Sequence, residues 1–155
     1  MQKILIKNTC IYDGTGANPF LSDLLIEDVK IKKIQKGIKI DADEAIDGKG
    51  MALSPGFINV HSHSDLIALT NKKMEHVIRQ GITTELVGQD GSSVAPVTDE
   101  IVNELANNMA PLAGVVDKDY WWRSMGDYLN EVKKVNPPVK IESLIGLPPI
   151  IRTLS

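Results

Sequence analysis

Between Phe57 and Ile145 short apolar runs alternate with stretches of helical periodicity. That alternation restricts the fold of this 155-residue chain more than any other feature. Residues 57–60 (FINV) form a nearly all-apolar run, as suits a strand buried on both faces. Residues 67–80 read as one helix, with Leu69, Met74, Val77 and Ile78 near helical spacing and Gly81 closing it. Ile82–Val87 (ITTELV), rich in β-branched residues, is the next strand. Thr98 is a candidate N-cap with Asp99 and Glu100 in the first turn, and Ile101, Leu105 and Met109 mark one face of the helix that follows. A further helix is predicted over about residues 122–135, ended by Pro137 and Pro138, and residues 139–145 (VKIESLI) are a third strand. Strands alternating with helices argue for an α/β fold with parallel strands and crossover helices. Three such strands correspond to the first part of a (β/α)8 barrel, which typically needs about 250 residues.

The first fifty residues follow a different rule. Residues 3–7 (KILIK), continued by 8–12, read as a strand, and residues 13–19 (DGTGANP) are a cluster of turn formers. Residues 22–27 and 29–35 are predicted to pair as a hairpin around Asp28. Val29, Ile31 and Ile34 break strict alternation in the second strand, which points to a bulge. Residues 41–50 are polar and glycine-bearing, and Met51, Ala52 and Leu53 form a short apolar run after them. Short, closely spaced, half-polar strands suit part of a small β-sandwich. The expected organisation is therefore 1–53 as the N-terminal part of a β-sandwich domain and 54–155 as the truncated start of the barrel. No internal sequence repeat is present.

Composition excludes several function classes. The net charge of −3 gives no reason to expect nucleic acid or an acidic membrane surface as partner. Lys30, Lys32, Lys33, Lys36 and Lys39 alternate with apolar residues, which reads as a solvated strand edge rather than a binding patch. The single cysteine, Cys10, cannot form an internal disulfide and reads as a small buried apolar residue rather than a nucleophile. Lys3 and Lys7 interrupt the opening residues too closely for a signal peptide, and no run reaches the roughly 18 apolar residues of a membrane helix. A cytoplasmic protein is expected.

The chemistry concentrates in residues 55–65 (PGFINVHSHSD). In an extended chain residues two apart point the same way, so His61 and His63 project side by side from the end of a strand. Two imidazoles at that spacing can bind one zinc ion at about 2.0–2.1 Å per bond. The C-terminal ends of barrel strands are also where such barrels carry catalytic groups. The bland alternative is a pair of solvated or capping histidines. Asp65 suits either an acceptor that orients a ligand histidine or a loop-stabilising role. His76, beside Glu75 in a helix, reads as a surface residue. Trp121 and Trp122 read as packing a helix start rather than lining a substrate pocket.

The string PGFINVHSHSD resembles the first-strand signature of the amidohydrolase superfamily, in which both histidines bind the active-site metal. Residues 81–96 (GITTELVGQDGSSVAP) are similar to the second-strand region of N-acyl-D-amino-acid deacylases (D-aminoacylases), and residues 3–16, with Tyr12-Asp13-Gly14-Thr15-Gly16, resemble the opening of the same family's β-sandwich. The likeness runs from residue 3 to about Gly146. It implies zinc at His61 and His63 and hydrolysis of the amide bond of a small N-acyl-D-amino acid. Many family members place a zinc-binding cysteine where this chain has Asp90. A carboxylate also holds zinc at about 2.0–2.2 Å, and an oxygen ligand brings Mn2+ or Co2+ into range, whereas Asp90-Gly91 as a mere tight turn is the competing reading.

A second departure follows Gly146, where relatives carry Gly-His-Gly and this chain has Leu147-Pro148-Pro149. The last nine residues leave the family pattern, as a frameshift before a premature stop would produce. The resemblance implies that further metal histidines and the proton-shuttling carboxylate lie on later strands. No catalytic residue is therefore expected within these residues, and the catalytic groups are expected beyond residue 155. The isolated chain is expected to be inactive and to self-associate through the exposed barrel edge. Two alternatives stand: a non-catalytic remnant or metal-binding module, and a cyclic-amide hydrolase of the dihydroorotase or hydantoinase type. Acyl group, amino acid and stereochemical preference are not readable from the sequence.

Overall fold

The computed structural model describes residues 2–71, 73–113 and 122–154. The chain divides into two compact units, Met1–Pro55 and Gly56–Ser155, and its architecture is mixed α/β.

The first unit is a single five-stranded sheet. Its strands are β1 (Lys3–Ile11), β2 (Phe20–Glu27), β3 (Lys30–Gln35), β4 (Glu44–Asp47) and β5 (Ala52–Leu53), in the order β3-β2-β1-β4 with β5 also pairing β1. β1, β2 and β3 are antiparallel neighbours, whereas β4 and β5 run parallel to β1. The hairpin turns at Asp28, which adopts φ +55°. Leu25 faces Lys33 while Ile26 faces Ile31, so Lys32 is the extra residue of the expected bulge in β3. β4 had no sequence signal because all four of its residues are exposed and its pairing is to a strand some forty residues earlier. Cys10 lies half-buried on β1.

A second irregularity, in β1 between Ile6 and Thr9, is fastened by the buried Asp23. One carboxylate oxygen accepts the Asn8 N–H at 3.0 Å, and the other accepts the Ile38 N–H at 2.9 Å. The bond from Asn8 leads in holding the Asp23 carboxyl below the usual carboxylate range. A carboxyl lowered in the folded state adds stability that is present above its unfolded pKa and lost as pH falls through the folded value. Acidification below about pH 4 is therefore expected to loosen this sheet. In Asp23→Asn that acid sensitivity should diminish, which urea titrations at two pH values would check.

The second unit holds the parallel strands β6 (Phe57–Asn59), β7 (Ile82–Val87) and β8 (Lys140–Ser143), in that order. Its helices are α1 (Ile67–Thr70), α2 (Glu75–Ile78), α3 (Val102–Ala113), α4 (Met125–Val135) and α5 (Leu147–Leu154). The single helix expected over residues 67–80 is instead two short ones. Asn71 explains the break: its side-chain oxygen accepts the N–H groups of Lys73 and Met74 at 3.3 Å, and Met74 turns to φ +42°. Gly81 closes the segment as expected, at φ +76° with its N–H on the Ile78 carbonyl. α4 begins later than expected, where the Ser124 hydroxyl accepts the Asp127 N–H at 3.1 Å. It ends on Asn136 in the left-handed region, ahead of the two prolines. α5 had no sequence expectation.

The helices cover one face of this sheet. Val87, Val139 and Ile141 join Leu66, Leu69, Met109, Tyr128 and Val132 in one core, with Leu105 and Met109 supplying the buried face of α3. The opposite face carries Ile58, Thr84, Leu86, Lys140 and Glu142, and the last two form an ion pair at 2.6 Å. Ile58 and Val60 are 65% and 67% exposed. The expectation of a strand buried on both faces is thus corrected: β6 is an edge strand, with Phe57 and Ile58 both exposed and Asn59 only half-buried. No described helix is long and apolar enough to cross a membrane.

Candidate metal centre

Parallel pairing of β6 and β7 sets the ends of the two strands side by side. His61 and His63 follow β6, and Asp90 follows β7 in the left-handed region at φ +55°. Both histidines reach one atom: His61 Nε2 lies 3.2 Å and His63 Nε2 3.1 Å from Asp90 Oδ2. The two rings meet edge to face with centroids 5.6 Å apart. One ligand atom from each residue falls within 4.8 Å of the others, so the group can hold a metal ion. Two imidazole nitrogens and one carboxylate oxygen suit zinc and admit manganese or cobalt. His61 and Asp90 are exposed and His63 half-buried, which leaves the site open to a solute.

Several bonds between the two loops fix this convergence. The Ser62 N–H bonds the Leu86 carbonyl at 3.1 Å, and the Gln89 amide donates to the carbonyls of Val60 at 2.8 Å and Leu86 at 3.0 Å. Asp65 takes the loop-stabilising role: one carboxylate oxygen accepts the Gly88 N–H at 3.1 Å, and its carbonyl accepts the Tyr128 hydroxyl at 3.0 Å. Burial pushes the Asp65 carboxyl up to about 6, with the Gly88 bond opposing the rise. Gly88 must be glycine, since at φ +76° a Cβ would stand 2.3 Å from the Leu144 carbonyl oxygen. From the other side, the Gly146 N–H bonds Ser93 Oγ at 3.0 Å, and Gly146 lies flush against the Gly91 backbone.

The remaining sequence candidates lie elsewhere. His76 is exposed on α2 and outside the cluster. Trp122 packs in the core with its ring tilted against Tyr128, 5.2 Å between centroids, and Trp121 lies outside the described residues. Sequence reasoning missed Asn59, Glu85, Gln89 and Ser93, whose roles come from contacts between strands and loops far apart in sequence. The one available signal was the buried-strand setting of Glu85, a charged residue among β-branched and apolar neighbours.

No family model matches the chain. The N-acyl-D-glutamate deacylase of Alcaligenes xylosoxydans xylosoxydans is 27% identical over 143 residues, 92% of this chain and 28% of the relative. The D-aminoacylase of the same organism is 28% identical over 145 residues, again 92% of this chain and 28% of the relative. A 5-methylthioadenosine/S-adenosylhomocysteine deaminase of Thermococcus sibiricus is 46% identical, but over only 66 residues, 43% of this chain and 16% of the relative. Among solved structures, N-acyl-D-glutamate deacylase from Bordetella bronchiseptica, complexed with zinc and a phosphonate inhibitor, superposes with a TM-score of 0.82 at 29% identity, covering 95% of this chain and 30% of that one. In sequence and fold, the chain matches members of the amidohydrolase superfamily. The branch it matches along nearly its whole length is that of the N-acyl-D-amino-acid deacylases, the D-aminoacylase family. The chain spans less than a third of the length of these relatives (28% to 30%).

Proposed function

We propose that this chain carries the first metal ligands of a zinc-dependent hydrolase acting on the amide bond of N-acyl-D-amino acids. The single observation that carries the reading is the convergence of His61 and His63 on Asp90, at the ends of adjacent parallel strands. In this reading β6, β7 and β8 are the first three strands of a (β/α)8 barrel, and the five-stranded sheet is the N-terminal part of a β-sandwich. Bound zinc supplies Lewis acidity, polarising the substrate carbonyl and lowering the pKa of water at the site. The chain's own part is to hold three donors open to solvent and keep their loops fixed. The proton-shuttling carboxylate is assigned to strands that these residues do not include.

The test uses the chain alone and the chain with a complementary C-terminal segment. The expected result is one zinc bound per chain, no amino acid released from N-acyl-D-amino acids by the chain alone, and release once the complement is added. Zinc binding with no turnover under either condition would turn the reading into a metal-binding module. Turnover of cyclic amides instead would assign the site to ring opening.

The close seat of Gly146 gives a sharper test of the Asp90 loop. A Cβ there would meet the Gly91 carbonyl oxygen at 2.1 Å, so Gly146→Ala must push the loop away from the histidines. Zinc affinity should fall about tenfold, as for other changes to the surroundings of metal ligands. Gly126→Ala, whose Cβ would meet nothing nearer than 3.6 Å, is the control that should leave it unchanged.

A further inference from the structure

We propose that Glu85 is a positioning residue for His61, acting through Asn59. The inference rests on the zinc reading above. Glu85 lies on β7, 2% exposed, on the face that packs against the helices. Its cross-strand neighbours are Asn59 on β6 and Ile141 on β8, and Val87 follows it on the same face. A carboxylate in such a setting is costly unless it is bonded. Glu85 Oε1 accepts the Asn59 side-chain amide at 3.0 Å, while Oε2 is buried with no hydrogen-bond partner among the described residues. An apolar residue would satisfy the packing better than this half-bonded acid, so packing does not account for it.

What the bond does account for is the orientation of Asn59. With its amide nitrogen held by Glu85, the Asn59 side-chain oxygen is turned to accept the backbone N–H of His61, at 3.3 Å. The His61 N–H is the point at which the chain leaves β6 and swings its ring towards Asp90. Released from Glu85, the Asn59 amide is free to rotate or flip, and the turn loses its acceptor. His63 is held differently, through the Ser62 N–H and the Asp65 anchor, so the two ligands have separate supports.

Two readouts on the full chain test this. The first is hydrogen exchange of the His61 backbone amide without metal. In Glu85→Leu and Asn59→Leu it should quicken about tenfold or more relative to the Leu86 amide, and in Glu85→Gln, which keeps an acceptor oxygen, it should not. The second is zinc affinity by chelator competition. It should fall about tenfold in both leucine variants, no further in the double variant, and by less than about twofold in Glu85→Gln. Should Glu85→Leu fail to fold, Asn59→Leu carries both measurements. Unchanged His61 exchange in Asn59→Leu, or a Glu85→Gln as impaired as Glu85→Leu, would overturn the proposal. Absence of zinc binding in the unsubstituted chain would sink the metal reading alone, because the exchange experiment still decides the positioning role.

Discussion

Replacing His61 and His63 together by alanine is expected to abolish stoichiometric zinc binding while leaving the circular dichroism of the chain unchanged. Apparent binding energies of structural zinc in zinc-finger peptides run to about 10–16 kcal/mol, and removing two of the three donors here should cost at least a third of such a sum. A loss of about 5 kcal/mol is more than three orders of magnitude in affinity. The remaining donor, Asp90, would be one exposed carboxylate with no other member of the group beside it among the described residues. The fold should tolerate the change because His61 is exposed and neither ring belongs to the core. Asp90→Cys makes the complementary prediction. A thiolate in place of the carboxylate favours zinc over manganese, so the ratio of the two affinities should rise by about tenfold or more. Equilibrium dialysis with metal analysis reads both variants. One zinc still bound to the double alanine variant would move the centre elsewhere.

The centre was legible in the sequence to the extent that it is local. His61 and His63 sit two apart at the end of a strand, and period-two geometry alone puts them on one side. Asp90 was accessible only through resemblance, because its approach to the histidines depends on the parallel register that sets Asn59 beside Glu85. The strands of the second unit were readable from β-branched and apolar runs. The helix expected over residues 67–80 was not, since Asn71 competes with the helical bonds through its own side chain. β4 escaped notice for the opposite reason. Its pairing with β1 is non-local, and its residues show no alternation of burial. Gln89 reaches Val60 across 29 residues and Glu85 reaches Asn59 across 26, contacts for which no periodic signal exists. The exposed face of β6 shows the limit of reading an apolar run: FINV is apolar enough for two buried faces, yet only packing partners decide how many are covered.

The core behind the centre carries the second large expectation. Tyr128 is fully buried, its ring against Trp122 and its hydroxyl on the carbonyl of Asp65. Tyr128→Ala removes the largest fully buried side chain among the described residues and should destabilise the second unit by about 3–5 kcal/mol. That is a large fraction of the stability of an ordinary domain. Tyr128→Phe keeps the volume and removes only the donor, with an expected cost of about 1–2 kcal/mol. The two variants therefore separate packing from the hydrogen bond, and urea titration reads them. If Tyr128→Phe cost as much as Tyr128→Ala, the hydrogen bond rather than the ring would be the anchor. Zinc adds a further discrimination. Asp65 ties the loop after β6 to Gly88 in the loop after β7, and a metal ion held by His61, His63 and Asp90 ties the same two loops a second time. Saturating zinc stabilises by mass action any fold that still binds it, so Tyr128→Phe should recover stability on zinc addition as fully as the unsubstituted chain. A Tyr128→Phe variant that gained nothing from zinc would mean that the Asp65 anchor, and not the two histidines alone, sets the geometry of the centre.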